Sequence, residues 1–447
     1  MIKMQLHQIA AVVNGRLVGK DARIQGVSTD SRSIQPGQLF VALVGENFDG
    51  AEFCQQAISQ GAAAVLVNRP VEVSVPQIIC EDSQLALGHL ASAWLQQCGP
   101  KVIAITGSNG KTTVKNMLYS VLRQVGQTEA TRGNYNNEIG VPLTILALKP
   151  ETAYLILEMG AAEPGDIRYL TTIAKPDVAL VTNVSAAHIG RFGNLETIAE
   201  SKAEIYQALD ADGIAVINRD DNHAPQWLES TDNKVGFGEA LESDYRLVLN
   251  NTDSKASVEL PDGEKLTLKL PVLGKHNLLN AAAVVAIADQ LNVAKAQIEH
   301  GLRHFKPESG RLQKHDLPQG GILIDDSYNA NPASMQAAIK VLAGLPKPQL
   351  LVCGDMLELG ELTASAHYEL GLFAQQQGID QLLVVGEWSN QVCLGFGSKA
   401  CQAFAQIETL LQNIEDYKLS VGSILVKASR GMRLERVVKV LTAGEAA

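Results

Sequence analysis

The run Gly107-Ser108-Asn109-Gly110-Lys111-Thr112-Thr113 sets two glycines, a lysine and hydroxyl side chains within seven residues. Glycines let backbone N–H groups close on an anion. Lys111 has the reach to meet β/γ-phosphates, and the Thr112 hydroxyl can ligate magnesium. The chemistry indicated is the binding of nucleotide phosphates. One position departs from the full pattern: Ile105 stands where a glycine is usual, five residues before Gly110, so the loop is a shortened variant. An ordinary strand-to-helix turn carrying a lysine is the plain alternative.

Other candidates are less specific. Glu158 ends an apolar run and could complete a magnesium site with Thr112, or be a simple exposed strand-end acid. His188, in the polar turn Asn183–Gly190, and Lys202, in a helical pattern, would not stand out on spacing alone. A solvated helix face is the bland reading for Lys202. Thr131–Pro142 is dense in amides (Asn134, Asn136, Asn137), more than a plain loop needs. In Gly274–Ala283, Asn277 reads as a helix N-cap, whereas Asn280 lies deeper in the helix and could read the edge of a base. Near the N-terminus, Ser28–Arg32 and Gly45–Gly50 are polar loops. Turn chemistry explains them, although Arg32 among hydroxyls could hold a phosphate or carboxylate.

The elements that must position these groups are strands alternating with helices. Val102–Ile105 reads as a buried strand before the phosphate loop, and Val114, Met117, Leu118, Val121, Leu122 and Val125 recur at helical spacing after it, with Gly126 as a stop. Tyr154–Leu157, Val178–Val181 and Ile214–Ile217 continue a mainly parallel sheet, whose ligand should sit at the strands' carboxyl ends. Leu247–Leu270 alternates around Pro261-Asp262-Gly263, a hairpin signal. A second pattern of the same kind uses Ile322–Ile324, Leu350–Val352, Leu382–Val385 and Ile424–Val426. Its polar ends are Asp325-Asp326, Gly354-Asp355, Gly386-Glu387 and Lys427–Arg430. A helix should begin at Asn331-Pro332, proline being favoured in the first turn. The fold class is therefore α/β, with units at 1–83, 84–310 and 311–447.

The 447 residues exceed one ordinary core, and a 46% hydrophobic, 19% charged composition is that of a globular chain. A net charge of −11 argues against a generic nucleic-acid surface. The six cysteines form no CxxC pair and read as buried free thiols of a reducing cytosol. Met1–Leu17 is too broken by polar residues for a signal peptide, and Ala281–Ala288 is too short to span a membrane. A soluble, cytoplasmic protein, acting as a monomer, is expected.

Together the motifs resemble the Mur ligase family, over essentially the whole chain. Gly107–Thr113, shortened as in that family, and Gly274–Asn280 are shared with its wider membership, which includes folylpolyglutamate synthase. Asp325–Pro332, followed by Gly354–Gly360, resembles the branch that adds D-alanyl-D-alanine. The Asp-Asn-Pro-Arg motif of diaminopimelate-adding members is absent.

The resemblance implies a small N-terminal UDP-substrate domain, a central P-loop-type ATPase domain and a C-terminal Rossmann-like domain. It implies ATP-dependent ligation of D-Ala-D-Ala to UDP-MurNAc-tripeptide through an acyl phosphate, with two Mg2+ ions. Gly107, Ser108, Asn109, Gly110, Lys111, Thr112 and Thr113 would bind ATP phosphates, with Arg311 reaching them as well. Asn277 and Asn280 would meet the adenine side, and Asp326 the ribose or the closing domain. Thr112 and Glu158 would hold one metal ion and His188 the second, supported by a carbamylated Lys202. Ser28, Ser31, Arg32 and Asn47 would face the uridine diphosphate, Asn134, Asn136 and Asn137 the sugar-peptide channel, and Asn329 and Asn331 the dipeptide. Two rivals stay open: another ligase of the superfamily, and a nucleotide-switch protein that needs no acceptor for phosphate release.

Overall fold

The computed structural model describes every residue except 187–188, 250–255, 318–319, 398, 419–421 and 444–447. Among the described residues, three major sheets follow one another along the chain. The first has five strands in the order Arg16–Val18, Gln77–Ile79, Ala64–Val67, Leu39–Val41, Val27–Ser28, parallel except for the first. The second has nine and the third six.

The nine-stranded sheet carries the phosphate loop. Its first seven strands are Thr128–Ala130, Tyr154–Glu158, Lys101–Thr106, Val178–Val181, Ile214–Asn218, Lys234–Gly238 and Tyr245–Leu249, all parallel. Ala256–Glu259 and Lys265–Leu268 then add on antiparallel, around the turn read at Pro261–Gly263. The inner strands are apolar throughout because both faces are covered. Val102 and Ala104 face one core with the helix Ser83–Cys98 and the N-terminal unit. Ile103 and Ile105 face the other, under the helices Lys111–Leu122 and Lys275–Gln290. The alternation is the ordinary twofold period of a strand, and it fixes which strand ends meet.

The six-stranded sheet runs Gln313–Asp316, Ile322–Asp325, Ser423–Lys427, Gln349–Gly354, Gln381–Val385, Cys401–Phe404, parallel except for its first pair. Its middle strand Ser423–Lys427 is thus the last in sequence. No helix among the described residues is long and apolar enough to cross a membrane.

Three sequence expectations need correction. The helix after the phosphate loop ends at Leu122, with Arg123 as C-cap, rather than running to Gly126. The helix at Lys275 has Gly274 as N-cap, so Asn277 lies inside the first turn and donates from Nδ2 to Leu273 O at 2.7 Å. Cys393 and Cys401 are joined in a disulfide, while Cys54, Cys80, Cys98 and Cys353 are free. The pair escaped the reading because proximity here comes from the turn between the helix Ser389–Phe396 and the strand Cys401–Phe404, which brings the two Cα atoms to 5.4 Å.

Candidate active site

A cleft of about 680 Å³ lies between the carboxyl ends of the two larger sheets. Its floor is Ser108–Thr113 and its opposite wall includes Arg311, Asp326, Tyr328, Lys427 and Arg430. The strand Lys101–Thr106 delivers the chain to the loop, and the helix starting at Lys111 carries it away. Gly107 is required at the turn. Its φ is +143°, and a Cβ there would lie 1.9 Å from Thr182 Oγ1. Gly110, at φ +85°, caps the helix, and a Cβ there would meet Asn280 Oδ1 at 2.6 Å. The loop is further pinned by the next strand end: Asn109 N donates to Asn183 Oδ1 (3.1 Å), and Thr182 Oγ1 and Asn183 Nδ2 donate to Asn109 O (2.6 and 3.0 Å). A preformed loop loses little entropy when an anion arrives.

The Lys111 ammonium donates to Gly107 O at 2.7 Å and keeps some solvent contact in the cleft. Burial pushes its pKa below the ordinary lysine value. The charge of Glu158 opposes that shift and the charge of Arg311 adds to it. Glu158 is buried and accepts from Thr112 Oγ1 (2.8 Å) and Asn136 Nδ2 (3.0 Å), with the buried Lys115 ammonium 3.8 Å away. A hydroxyl and a carboxylate side by side beneath a phosphate loop are hard oxygen donors suited to magnesium. Among the described residues no three His, Cys, Asp or Glu side chains cluster as metal ligands. A magnesium ion held here would take its remaining ligands from phosphate oxygens and water, its common habit.

Lys202 is not on a solvated face. Only 6% exposed, it sits on the helix Leu195–Gln207, which Asn194 caps. Burial, and then repulsion from Lys111, lower its pKa to about 7. No hydrogen bond or ion pair of its ammonium is seen among the described residues. His188 lies outside the described residues.

On the C-terminal wall, Asp326 pairs with the buried Lys427 at 2.6 Å and accepts from Leu312 N at 3.1 Å. Lys427 also donates to Asn329 O at 2.8 Å. The Arg311 guanidinium stacks on the Tyr328 ring at 4.1 Å, and Arg430 lies 5.4 Å from the same ring. His276, also lining the cleft, has its pKa lowered to about 4 by burial, with Asp326 opposing and Lys427 adding to the shift.

Asn331 caps the helix Pro332–Ala343, accepting from Ser334 N at 2.9 Å, and donates from Nδ2 to Asn109 Oδ1 at 2.8 Å. One side chain thus starts a helix in the C-terminal unit and binds the phosphate loop. Asn331→Ala should lower stability by about 1–2 kcal/mol, the worth of a cap plus a hydrogen bond. Asn331→Asp keeps the cap acceptor and should recover most of that in urea denaturation. What it does not recover measures the bridge to Asn109.

The remaining sequence-predicted residues divide between the cleft and places away from it. Asn277 and Asn280 line the cleft beside the loop. Asn136 belongs to the Glu158 cluster, Asn137 Oδ1 accepts from Gly140 N at 3.0 Å, and Asn134 is exposed. Asn329 Oδ1 accepts from Ala330 N at 2.9 Å at the cleft edge. None of the N-terminal candidates lines the cleft. Ser28 makes a turn with Asp30, Ser31 donates to Gln56 at 2.9 Å, Arg32 forks onto Asp30 and Asn47 is exposed. Asp355, read as a strand-end ligand, accepts from the backbone N–H groups of Glu387 and Trp388 instead. Lys427–Arg430 was read as a polar strand end facing the ligand, and Lys427 and Arg430 do line the cleft, but no individual role was given to them or to Tyr328. The available signal was a cation and an aromatic closing apolar strands, which are common on any sheet.

Comparison with known proteins adds a second line. Residues 105–288 match the Mur ligase middle domain, 310–430 the Mur ligase glutamate ligase domain, and 23–94 the Mur ligase family catalytic domain. The UDP-N-acetylmuramoyl-tripeptide–D-alanyl-D-alanine ligase of Escherichia coli (strain K12) is 40% identical over 450 residues, covering 99% of each chain. The crystal structure of MurF from Acinetobacter baumannii aligns with a TM-score of 0.92 at 32% identity, covering 99% of each chain. MurF ligase from Thermotoga maritima, in complex with ADP, aligns at 0.84 with 31% identity, covering 94% of this chain and 97% of that one. With all three units matched and the phosphate loop, Thr112–Glu158 pair and C-terminal wall converging on one cleft, the chain belongs to the Mur ligase family.

Proposed function

We propose that this protein uses ATP to join D-alanyl-D-alanine to UDP-N-acetylmuramoyl-tripeptide, giving the pentapeptide, ADP and phosphate, as a cytoplasmic monomer in cell-wall precursor synthesis. The observation that carries the reading is the meeting of a nucleotide-phosphate loop with Arg311, Asp326 and Asn331 of a separate unit in one cleft. An ATP switch would need the loop. It would not need an opposing wall of amides and cations with room for further small substrates.

In the reaction, an oxygen of the tripeptide's terminal carboxylate attacks the γ-phosphorus, and the bond to ADP breaks. The acyl phosphate formed is then attacked by the dipeptide amine. The tetrahedral adduct expels phosphate, and the amine gives up a proton to solvent or phosphate. The first step brings anions together, so cations should dominate. Lys111 and Arg311 flank the cleft to neutralise β/γ-phosphate charge, and Asn277 and Asn280 face the adenine side. Thr112 and Glu158 would hold magnesium, which screens the phosphate oxygens when bound. His188 would serve a second ion. Ser28, Ser31, Arg32 and Asn47 would take the uridine diphosphate, with Asn134, Asn136 and Asn137 along the sugar and peptide. Asn329 and Asn331 are assigned to the dipeptide edge, Asn331 doing so only if its bond to Asn109 yields.

Lys202 would be carbamylated. Its amine is buried, and a pKa of about 7 leaves about half of it neutral and able to add CO2 at neutral pH. Below that pKa the amine is protonated, so the modification should fade as pH falls from 8 to 6, and added bicarbonate should raise turnover more at the acid end. Intact-protein mass and the bicarbonate response at each pH check this. A response independent of pH would remove the carbamate from the scheme.

The deciding experiment is phosphate release from ATP with UDP-MurNAc-tripeptide, with and without D-Ala-D-Ala, together with product mass. Release requiring both, with pentapeptide formed, is expected. Release with a different acceptor would assign another reaction of the superfamily, and release needing neither substrate would favour the switch.

A further inference from the structure

A second cavity, of about 460 Å³, opens on the far side of the helix Lys111–Leu122 and shares no lining residue with the nucleotide cleft. Its wall is strongly basic in a protein of net charge −11. Lys115, Arg123, Arg132 and Lys306 line it, with Tyr119 as an aromatic side and Glu308 as the one carboxylate in the lining. Lys115 comes from that helix and Arg123 from its C-cap, with Tyr119 between them at steps of four. Arg132 comes from the turn after the edge strand Thr128–Ala130. Lys306 comes from the stretch between the helix Lys295–His304 and the six-stranded sheet.

The charges are poorly cancelled. Arg132 meets Glu129 only at 3.9 Å, with 81% of its side chain exposed. Arg123 lies over the Tyr119 ring at 5.9 Å, and no ion pair of Arg123 or Lys306 is seen among the described residues. Lys115 is the exception in burial, its side chain 4% exposed with Glu158 3.8 Å away. Bringing several cations to one concavity costs repulsion, which an anion relieves.

We propose that this cavity is a binding site for a compact polyphosphate, free or as the end of a nucleotide, that clamps the inter-unit linker to the phosphate-loop helix. Three exposed cations, Arg123, Arg132 and Lys306, against one carboxylate suit a ligand carrying several charges in a small volume, with Lys115 behind them held by Glu158. Arginine forks and lysine point charges are the usual partners of phosphate oxygens. The cavity falls in the size range of small-molecule sites. Both ends of the site lead into the nucleotide cleft. Lys115 touches the Glu158 that bonds Thr112, and Lys306 is five residues before Arg311. A ligand holding Lys306 against Arg123 therefore fixes the segment from which Arg311 projects, and one that draws on Lys115 alters the electrostatic surroundings of Glu158.

The test uses the full chain and inorganic pyrophosphate, with hydrogen exchange read by segment and affinity read by calorimetry. Protection is expected in residues 115–123 and 304–308, beyond any at the phosphate loop 107–113, and binding should weaken as salt is raised. The double variant Arg123→Glu/Lys306→Glu replaces two exposed side chains, so its melting temperature should match the wild type. It should bind pyrophosphate at this site at least about tenfold more weakly and lose the protection at 304–308. Guanosine diphosphate, followed at the same segments, separates the sources. Affinity equal to that of pyrophosphate assigns the free anion, and tighter binding assigns a nucleotide with its base on Tyr119. Protection confined to 107–113, or a double variant that binds as the wild type does, would overturn the proposal.

Discussion

Lys111→Ala is expected to abolish acceptor-dependent phosphate release while leaving the protein as stable as before, or more so. The ammonium's recorded hydrogen bond is to Gly107 O, and burial holds its pKa below the usual lysine value. The fold is therefore carrying a charge that it penalises, the pattern of a residue kept for activity rather than stability. Removing it relieves that penalty and deprives the γ-phosphate of a nearby cation. The loss in turnover should be about 10³-fold or more, the scale of deleting a preorganised electrostatic contact to a developing charge. Turnover and thermal unfolding measured on the same sample check both halves. Near-normal turnover would sink the reading of the loop. Lost turnover accompanied by a large drop in melting temperature would mean that Lys111 holds the loop together instead.

Glu158→Gln should also be severe, for a different reason. The amide preserves the shape and can still accept from Thr112, but it cannot offer a carboxylate to magnesium. A fall in turnover of about 10²-fold or more is expected, with a raised magnesium requirement. The substitution also strands Lys115, whose side chain is 4% exposed and whose nearest recorded anion is Glu158. Leaving a buried charge unpaired should cost about 2 kcal/mol of stability, modest for a buried pair because the separation is 3.8 Å. The two effects separate in the double variant Glu158→Gln/Lys115→Met. Stability should return, because no buried charge is left alone, and turnover should not. Recovery of turnover would show that Glu158 acts through Lys115 and not through the metal.

The contrast between these residues shows what the chain disclosed in advance. Lys111 was legible because its neighbours constrain it: an apolar strand, glycines and a helix leave few other uses for such a loop. The strands were legible for the same reason, since runs such as Val178–Val181 are apolar on both faces and match the observed strand residue for residue. Glu158 was visible only as an acid at a strand end, and so was Asp355. One bonds Thr112 in the cleft and the other holds the turn at Glu387. Nothing local separates them, because the difference lies in which strand stands next door. Lys202 gave no signal on spacing alone, where a solvated helix face was the plain alternative, because the elements that bury it are distant in sequence. Lys427 was visible only as part of a polar strand end for a related reason: its partner Asp326 is 101 residues away and is brought to it only by the parallel pairing of Ile322–Asp325 with Ser423–Lys427.

That pairing has a consequence for the birth of the molecule. On the ribosome, the strands Ile322–Asp325 and Gln349–Gly354 emerge well before Ser423–Lys427, yet the late strand lies between them. Until it arrives the sheet has a gap at its centre, with two open edges and no Lys427 to meet Asp326. Such edges invite wrong partners, and non-local parallel pairing is slow to form. The phosphate loop can be in place while the wall opposite it cannot, so a nascent chain acquires its nucleotide grip first and its full reaction chamber only when synthesis is nearly over. A chain stalled before residue 423 would therefore hold the first half of the catalytic apparatus and none of the strand that closes the second.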